Sequence, residues 1–317
     1  MGKSRAMTPT HRNTRLDRNT RLGRLALIGV PALWLTLFVA VPFAIVVRIS
    51  LSESVIAMPP YEPVFDLSAG FAALAEAVGR LDFDKYVFLT TDPLYLDSYL
   101  SSIRIAGLST AIILAVGYPI AYAMARAPRR LQPLLVMLVV LPFWTSFLIR
   151  VYAWMGILAR DGFLNQALGG LGLISEPLDI LSTDTAVMIG IVYSYLPFMV
   201  LPLYASLEKL DDSLLEAAAD LGCPPWQAFW RITVPLSLPG VVAGCLLVFI
   251  PAVGEFVIPD LLGGSDTLMI GKTLWSEFFS NRDWPVASAV AVVLLVVLLV
   301  PIGIYQHMQA RQLEADR

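Results

Sequence analysis

Glu255 is a single acid within the apolar run FIPAVGEFVIP. Left unpaired in hydrocarbon, a carboxylate costs roughly 2.5–3.5 kcal/mol, so it must face protein or water. One partner for it is a passing organic cation. The other is a structural ion pair with a basic residue such as Arg150. Asp260 follows about one turn later, either at an entrance or as a solvated helix end. Trp144, Tyr152, Trp154, Tyr193 and Tyr195 fall near the same ends of apolar stretches. Each ring face attracts an ammonium by roughly 0.5–2 kcal/mol. The same rings also suit an interfacial aromatic belt.

Other candidates carry no chemistry. DTLMIGKT (266–273) ends like a phosphate-binding loop, but Asp266 stands where the first glycine belongs and no strand precedes it. Cys223 and Cys245 give neither a disulfide framework nor a zinc spacing. His11 and His307 have no ligand or catalytic companion nearby in sequence. No HExxH, GxSxG or clustered His/Asp pattern appears, so we expect no catalytic residues, no metal site and no enzyme.

The elements that must position these residues are membrane helices. Of 317 residues, 57% are hydrophobic and only 15% charged, against about a quarter charged in soluble domains. Mean hydropathy is +0.71. Roughly 20 apolar residues span a bilayer as a helix, and six stretches qualify: 25–48, 104–125, 131–151, 185–207, 239–259 and 285–306. The fold expected is an all-α integral membrane protein with about six spans. Residues 1–24 form a basic tail, 25–306 the six-span domain, and 307–317 a second tail. The uncharged run Leu25–Val47 exceeds the 7–15 residues of a signal-peptide core, so it reads as an uncleaved first span.

Basic residues flanking spans set orientation. The N-terminal tail and Arg126, Arg129 and Arg130 favour the cytoplasm, which also takes the C-terminus. The acid-rich segment 51–98 then lies outside, where it steers cations or is simply solvated. Residues 69–81 within it read as a short surface helix. Residues 208–236 form a cytoplasmic loop, although its acids outnumber its bases. Within it, 212–221 reads as a short helix rich in alanine. Gly222 can end that helix in a left-handed conformation, and Pro224 and Pro225 prevent its continuation.

That loop reads EAAADLGCPPWQAFWRITVP. Glu216, Ala217, Ala218, Gly222, Ile232 and Pro235 keep the spacing of the EAA loop of ABC importer permeases, which they resemble; Val234 replaces the usual leucine. Further segments resemble the polyamine permease family: DPLYLDSYLSSIRIA (92–106), LPFWTSFLIRVYAWMGIL (141–158), GIVYSYLPFMVLPLY (190–204), PAVGEFVIPDLLGG (251–264) and NRDWPVASAVAV (281–292). GEFVIP (254–259) looks closest to the putrescine branch, with the spermidine branch a near relative.

The resemblance implies an ABC importer type I permease-like fold whose EAA loop couples to an ATPase. It also implies a second, related permease subunit, two ATPase subunits and a periplasmic polyamine-binding protein. This chain would bind no cofactor itself; ATP and Mg would be used by the ATPase subunits. Nothing points to nucleic acid. The competing class is a secondary transporter driven by ion gradients. The absence of a visible repeat and the presence of the EAA loop argue against it.

Overall fold

The computed structural model describes residues 27–64, 76 and 78–315, so the basic tail 1–24 lies outside the described residues. Among the described residues five helices are long and apolar enough to cross a membrane, and a bent pair, counted as one span, brings the number to six. Helix α1 is Leu27–Ser50. A small hairpin follows, β1 (Glu53–Ser54) and β2 (Tyr61–Glu62), in the register Glu53↔Glu62 and Ser54↔Tyr61. Helix α2 (Asp84–Thr91) leads into α3 (Pro93–Arg126). The Asp92 carboxylate accepts from Leu94 N at 2.9 Å, and Pro93 occupies the first turn, where its missing N–H costs nothing.

Four sequence expectations change. Helix α3 runs 34 residues, about 51 Å, well beyond the roughly 30 Å of a bilayer core. It therefore extends on both sides of the expected span 104–125 and takes the last residues of segment 51–98 into the helix. The expected span 131–151 is broken into α4 (Gln132–Val140), a 3₁₀ turn (Leu141–Trp144) and α5 (Phe147–Leu158). Its two parts meet at 86°. Thr145 causes the break locally: its amide and hydroxyl both donate to Pro142 O, at 3.3 and 2.8 Å, closing a turn. The expected span 239–259 begins earlier and stops short, as α9 (Pro225–Val253), after α6 (Phe163–Gly170), α7 (Asp184–Leu207) and α8 (Ser213–Asp220). Two short helices follow, α10 (Val257–Leu262) and α11 (Ile270–Trp275), the latter continuing as a π turn through Asn281. Helix α12 (Trp284–Ala315) runs on through most of the expected tail 307–317. Of the surface helix expected over 69–81, residues 76 and 78–81 are described, and Glu76, Val78 and Gly79 are helical.

Helices α3, α7 and α9 form the core. One stripe of α3 is small or hydroxylated, with Ser98, Ser102, Ser109 and Thr110 all buried. Gly240 and Gly244, four apart on α9, set the closest approach to α7. A Cβ on Gly240 would meet Ser206 Cβ at 2.5 Å and Pro202 O at 2.9 Å. One on Gly244 would meet Met199 Sδ at 2.7 Å. In lipid, where apolar burial between helices gains little, such close backbone packing holds spans together. Gly240→Val should therefore cost about 1–3 kcal/mol by overpacking, read as a lower thermal midpoint of the purified chain in detergent. Gly107→Ala, where nothing lies within 4 Å of the added carbon, should leave it unchanged. Equal midpoints for both would overturn this account of the α7–α9 contact.

Candidate functional site

Two regions gather the residues singled out by sequence, at opposite ends of the long helices. The first is the loop after α7. Just before helix α8 the Asp211 carboxylate accepts from Ser213 N, the first helical amide, at 3.0 Å. The Ser213 amide, then its hydroxyl, hold that carboxyl below the usual range. The helix ends at Gly222, with φ +75. Gly222 N donates to Ala219 O and Cys223 N to Ala218 O, both at 2.9 Å. This pair of bonds is a Schellman cap. Glu216 and Ala217 are exposed, while Ala218 is buried. Leu214, Leu221, Trp226 and Trp230 expose apolar surface around them. Ile232 is half-buried and Pro235 exposed.

This loop is fastened to α3. Phe229 meets the edges of Tyr118 and Tyr122, each at 5.6 Å. The Tyr118 hydroxyl lies 2.8 Å from Ser237 Oγ. Arg126, at the end of α3, pairs with Asp212 and lies over the Tyr122 ring. The basic residues 126 and 129 and the start of α8 thus line one cleft.

The second region is the break after α9. Glu255 does not sit within a helix, as its position in an apolar run suggests, but between α9 and α10. It is buried. Its Oε1 accepts from Val257 N at 3.0 Å and Ile258 N at 3.4 Å, and its Oε2 from the Tyr195 hydroxyl at 2.5 Å. The carboxylate thereby satisfies the amides that open α10 and ties them to α7. Three lone-pair positions are used, leaving room for one further donor. Asp260 lies on α10, exposed.

Arg150 does not supply the counter-charge. Among the described residues Glu255 forms no ion pair. The Arg150 guanidinium lies over Phe143 at 5.2 Å and Phe147 at 5.8 Å, with Nε lacking a hydrogen-bond acceptor. Phe143 in turn packs on Phe198 and Phe198 on Tyr195, so three rings connect the two charges.

The five candidate aromatics divide. Tyr195 joins Glu255, and Trp154 packs edge-on to Tyr193 at 5.5 Å. Trp144 and Tyr152 are 74% and 56% exposed. Tyr152 and Trp154, two apart on α5, point to opposite sides.

Gly271, Lys272 and Thr273 belong to packing. A Cβ on Gly271 would meet the Gly254 and Glu255 carbonyls. Lys272 donates to Pro259 O at 3.5 Å, and the Thr273 hydroxyl lies 3.0 Å from that of Ser98.

Sequence reading missed the neighbours of this break. Phe256 stacks on Trp275 at 4.4 Å and 11°. Glu277 is a second buried carboxylate, accepting from the Tyr95 hydroxyl and from Asn281, each at 3.0 Å. The signal available was an acid flanked by rings, WSEFF at 275–279.

Comparison with known proteins agrees with this architecture. A "spermidine/putrescine transport system permease protein PotB" of Escherichia coli strain K12 is 42% identical over 272 residues, 86% of this chain and 92% of the relative. Its namesake in Haemophilus influenzae is 48% identical over 214 residues, 68% of this chain and 75% of the relative. Among solved structures, a bacterial ABC transporter involved in the import of the acidic polysaccharide alginate superimposes with TM-score 0.68 at 18% identity, covering 94% of this chain and 99% of that one; this shows the shared fold. Residues 107–313 match the model of the "binding-protein-dependent transport system inner membrane component" family. The chain belongs to that family.

Proposed function

We propose that this chain is one of two related permease subunits of an ATP-driven importer that carries polyamines inward across the inner membrane. The observation that carries the reading is 42% identity across 86% of the chain to a spermidine/putrescine permease. Those names join both amines. We put putrescine first because of the GEFVIP segment at 254–259. The complex would contain two ATPase subunits and receive its solute from a periplasmic polyamine-binding protein.

In this reading the α8 end faces the cytoplasm and the hairpin end faces the periplasm. Arg126 and Arg129 beside α8 support that orientation. Helix α8, with Glu216, Ala217 and Ala218 and closed by Gly222, is the surface on which an ATPase subunit docks. Its fastening to α3 through Phe229 and Arg126 lets a displacement there reach the spans.

Glu255, with Tyr195, is the carboxylate past which the amine moves. An ammonium can take the remaining position on Oε2 without displacing the α10 amides. Asp260, Trp154 and Tyr193 contribute charge and ring faces along the same route, and Trp144 and Tyr152 line its outer surface.

Radiolabelled putrescine uptake by cells carrying the full complex should require ATP, persist with an uncoupler, and fall with excess unlabelled putrescine or spermidine. Uptake abolished by the uncoupler while ATP is maintained would favour an ion-gradient transporter. Glu255→Gln keeps an acceptor for the α10 amides, so complex yield should hold while uptake falls at least about tenfold, the factor corresponding to 1.4 kcal/mol. Wild-type uptake in that variant would end the role given to Glu255. Gly222→Val has open space for its side chain, so its effect is backbone strain of about 1–2 kcal/mol at φ +75. This chain should insert normally while co-purified ATPase drops several-fold. Unchanged co-purification with full transport would remove the coupling role.

A further inference from the structure

Among the described residues Arg150 is the only buried base, at 9% exposure. An ionised side chain at membrane depth is expensive and by default marks function. Three ordinary structural accounts of it fail. It is not half of an ion pair, since no described carboxylate pairs with it. Its Nε is buried and has no hydrogen-bond acceptor among the described residues, so it ties down no backbone there. Nor does it favour its own helix. Arg150 lies in the first turn of α5 (Phe147–Leu158), the end whose dipole favours anions and disfavours cations.

What holds the guanidinium is rings. Its central carbon lies 5.2 Å from the Phe143 ring centre and 5.8 Å from that of Phe147. Ring faces hold a cation in place without neutralising it. Phe143 packs edge-on to Phe198 at 5.2 Å, and Phe198 meets Tyr195 at 5.9 Å. Tyr195 donates to Glu255. The helix carrying Arg150 also packs on α10, whose first amides donate to Glu255. An uncompensated positive charge and a carboxylate with one open acceptor position thus belong to one block of rings, which keeps them apart.

Charges so placed act on each other, and on any visitor, more strongly than in water, because the medium between them has a low dielectric constant. The guanidinium is a permanent charge. Every ammonium that reaches Glu255 therefore meets repulsion from Arg150 as well as the pull of the carboxylate. The repulsion grows with the number of charges on the amine. Passage requires binding firm enough to enter and weak enough to leave.

We propose that Arg150 is a specificity-setting residue of the amine path: its caged positive charge shortens the stay of an amine at Glu255, and shortens it more for a triamine than for a diamine. The proposal rests on the reading above that Glu255 lies beside a polyamine path. It adds a physical reason for that path to favour putrescine over spermidine. Arg150 acts through the field at Glu255 and does not touch the amine.

The test measures equilibrium binding of radiolabelled putrescine or spermidine to the whole complex in nanodiscs without ATP. It is paired with the maximal uptake rate of the same complex in proteoliposomes, always with the same binding protein. Arg150→Met removes the charge and keeps the length. Its Kd for putrescine should fall about threefold, and that for spermidine further, as expected when one like charge is removed across a medium of intermediate dielectric constant. Maximal uptake should fall in the same variant, because release becomes slower. Arg150→Lys keeps the charge and should match wild type in both readings. Arg150→Gln, neutral and shorter, replaces Arg150→Met where the latter assembles poorly. A neutral variant that binds no tighter than wild type, equal tightening in Arg150→Lys, or loss of assembly in both neutral variants would overturn the proposal and leave the importer reading intact. A wild-type complex that takes up neither amine would overturn both.

Discussion

A helix that starts inside a bilayer leaves its first N–H groups without partners, and water is not there to take them. In this chain α10 starts at Val257 after the break at Val253, and Glu255 answers it. One carboxylate accepts the two amides that open α10 and holds the Tyr195 hydroxyl of α7. Without it α10 would begin with orphan donors in a low-dielectric surrounding, at roughly 1–3 kcal/mol for each. The rest of the arrangement follows. Because α10 is set, Ile258 and Leu262 reach Gly190 on α7. Because the break is held open, Gly271 can lie against its carbonyls. A carboxylate at this place thus serves the fold while three of its acceptor positions are in use.

The same economy of polar groups governs α3. Its hydroxyls are not bonded only along their own helix. Ser102 accepts the Ile270 amide, and Tyr99 donates to Val290 O at 2.7 Å. Irregular backbone between α9 and α12 is tolerated because a long regular helix supplies its missing partners. At the other end α3 meets the loop after α7 through rings and the Arg126–Asp212 pair. One helix is thus in contact with both regions of functional interest.

What could be read from sequence follows how local each cause is. Gly222 was legible because a left-handed cap depends on its immediate neighbours, and the alanines before it and prolines after it admit few other conformations. Five of the spans were legible because lipid demands unbroken apolar length. The break at Thr145 was not, since an apolar run with Pro142 in it is compatible with a kinked helix as well as a turn. Glu255 stood out as a charge, but its partner Tyr195 lies 60 residues away, and no periodicity links them. Arg150 was the plausible counter-ion on depth alone, yet the ring of Phe143 is what it meets. Gly240 and Gly244 have a recognisable spacing, but only packing shows that α7 is what they admit.

The first helix makes one more point. None of the most apolar stretch of α1 is buried by the rest of the chain. Its later turns, Val41–Ser50, pack chiefly on α12. During synthesis α1 leaves the ribosome before α12, with roughly 230 residues between them. At about 5–20 residues per second that is a wait of about 10–50 s. For that interval α1 lacks its principal partner, and its uncharged run from Leu27 to Val47 lets it rest in lipid meanwhile. Emergence of α12 is then the event that closes this contact, and a chain cut short before Trp284 would leave α1 without its principal neighbour.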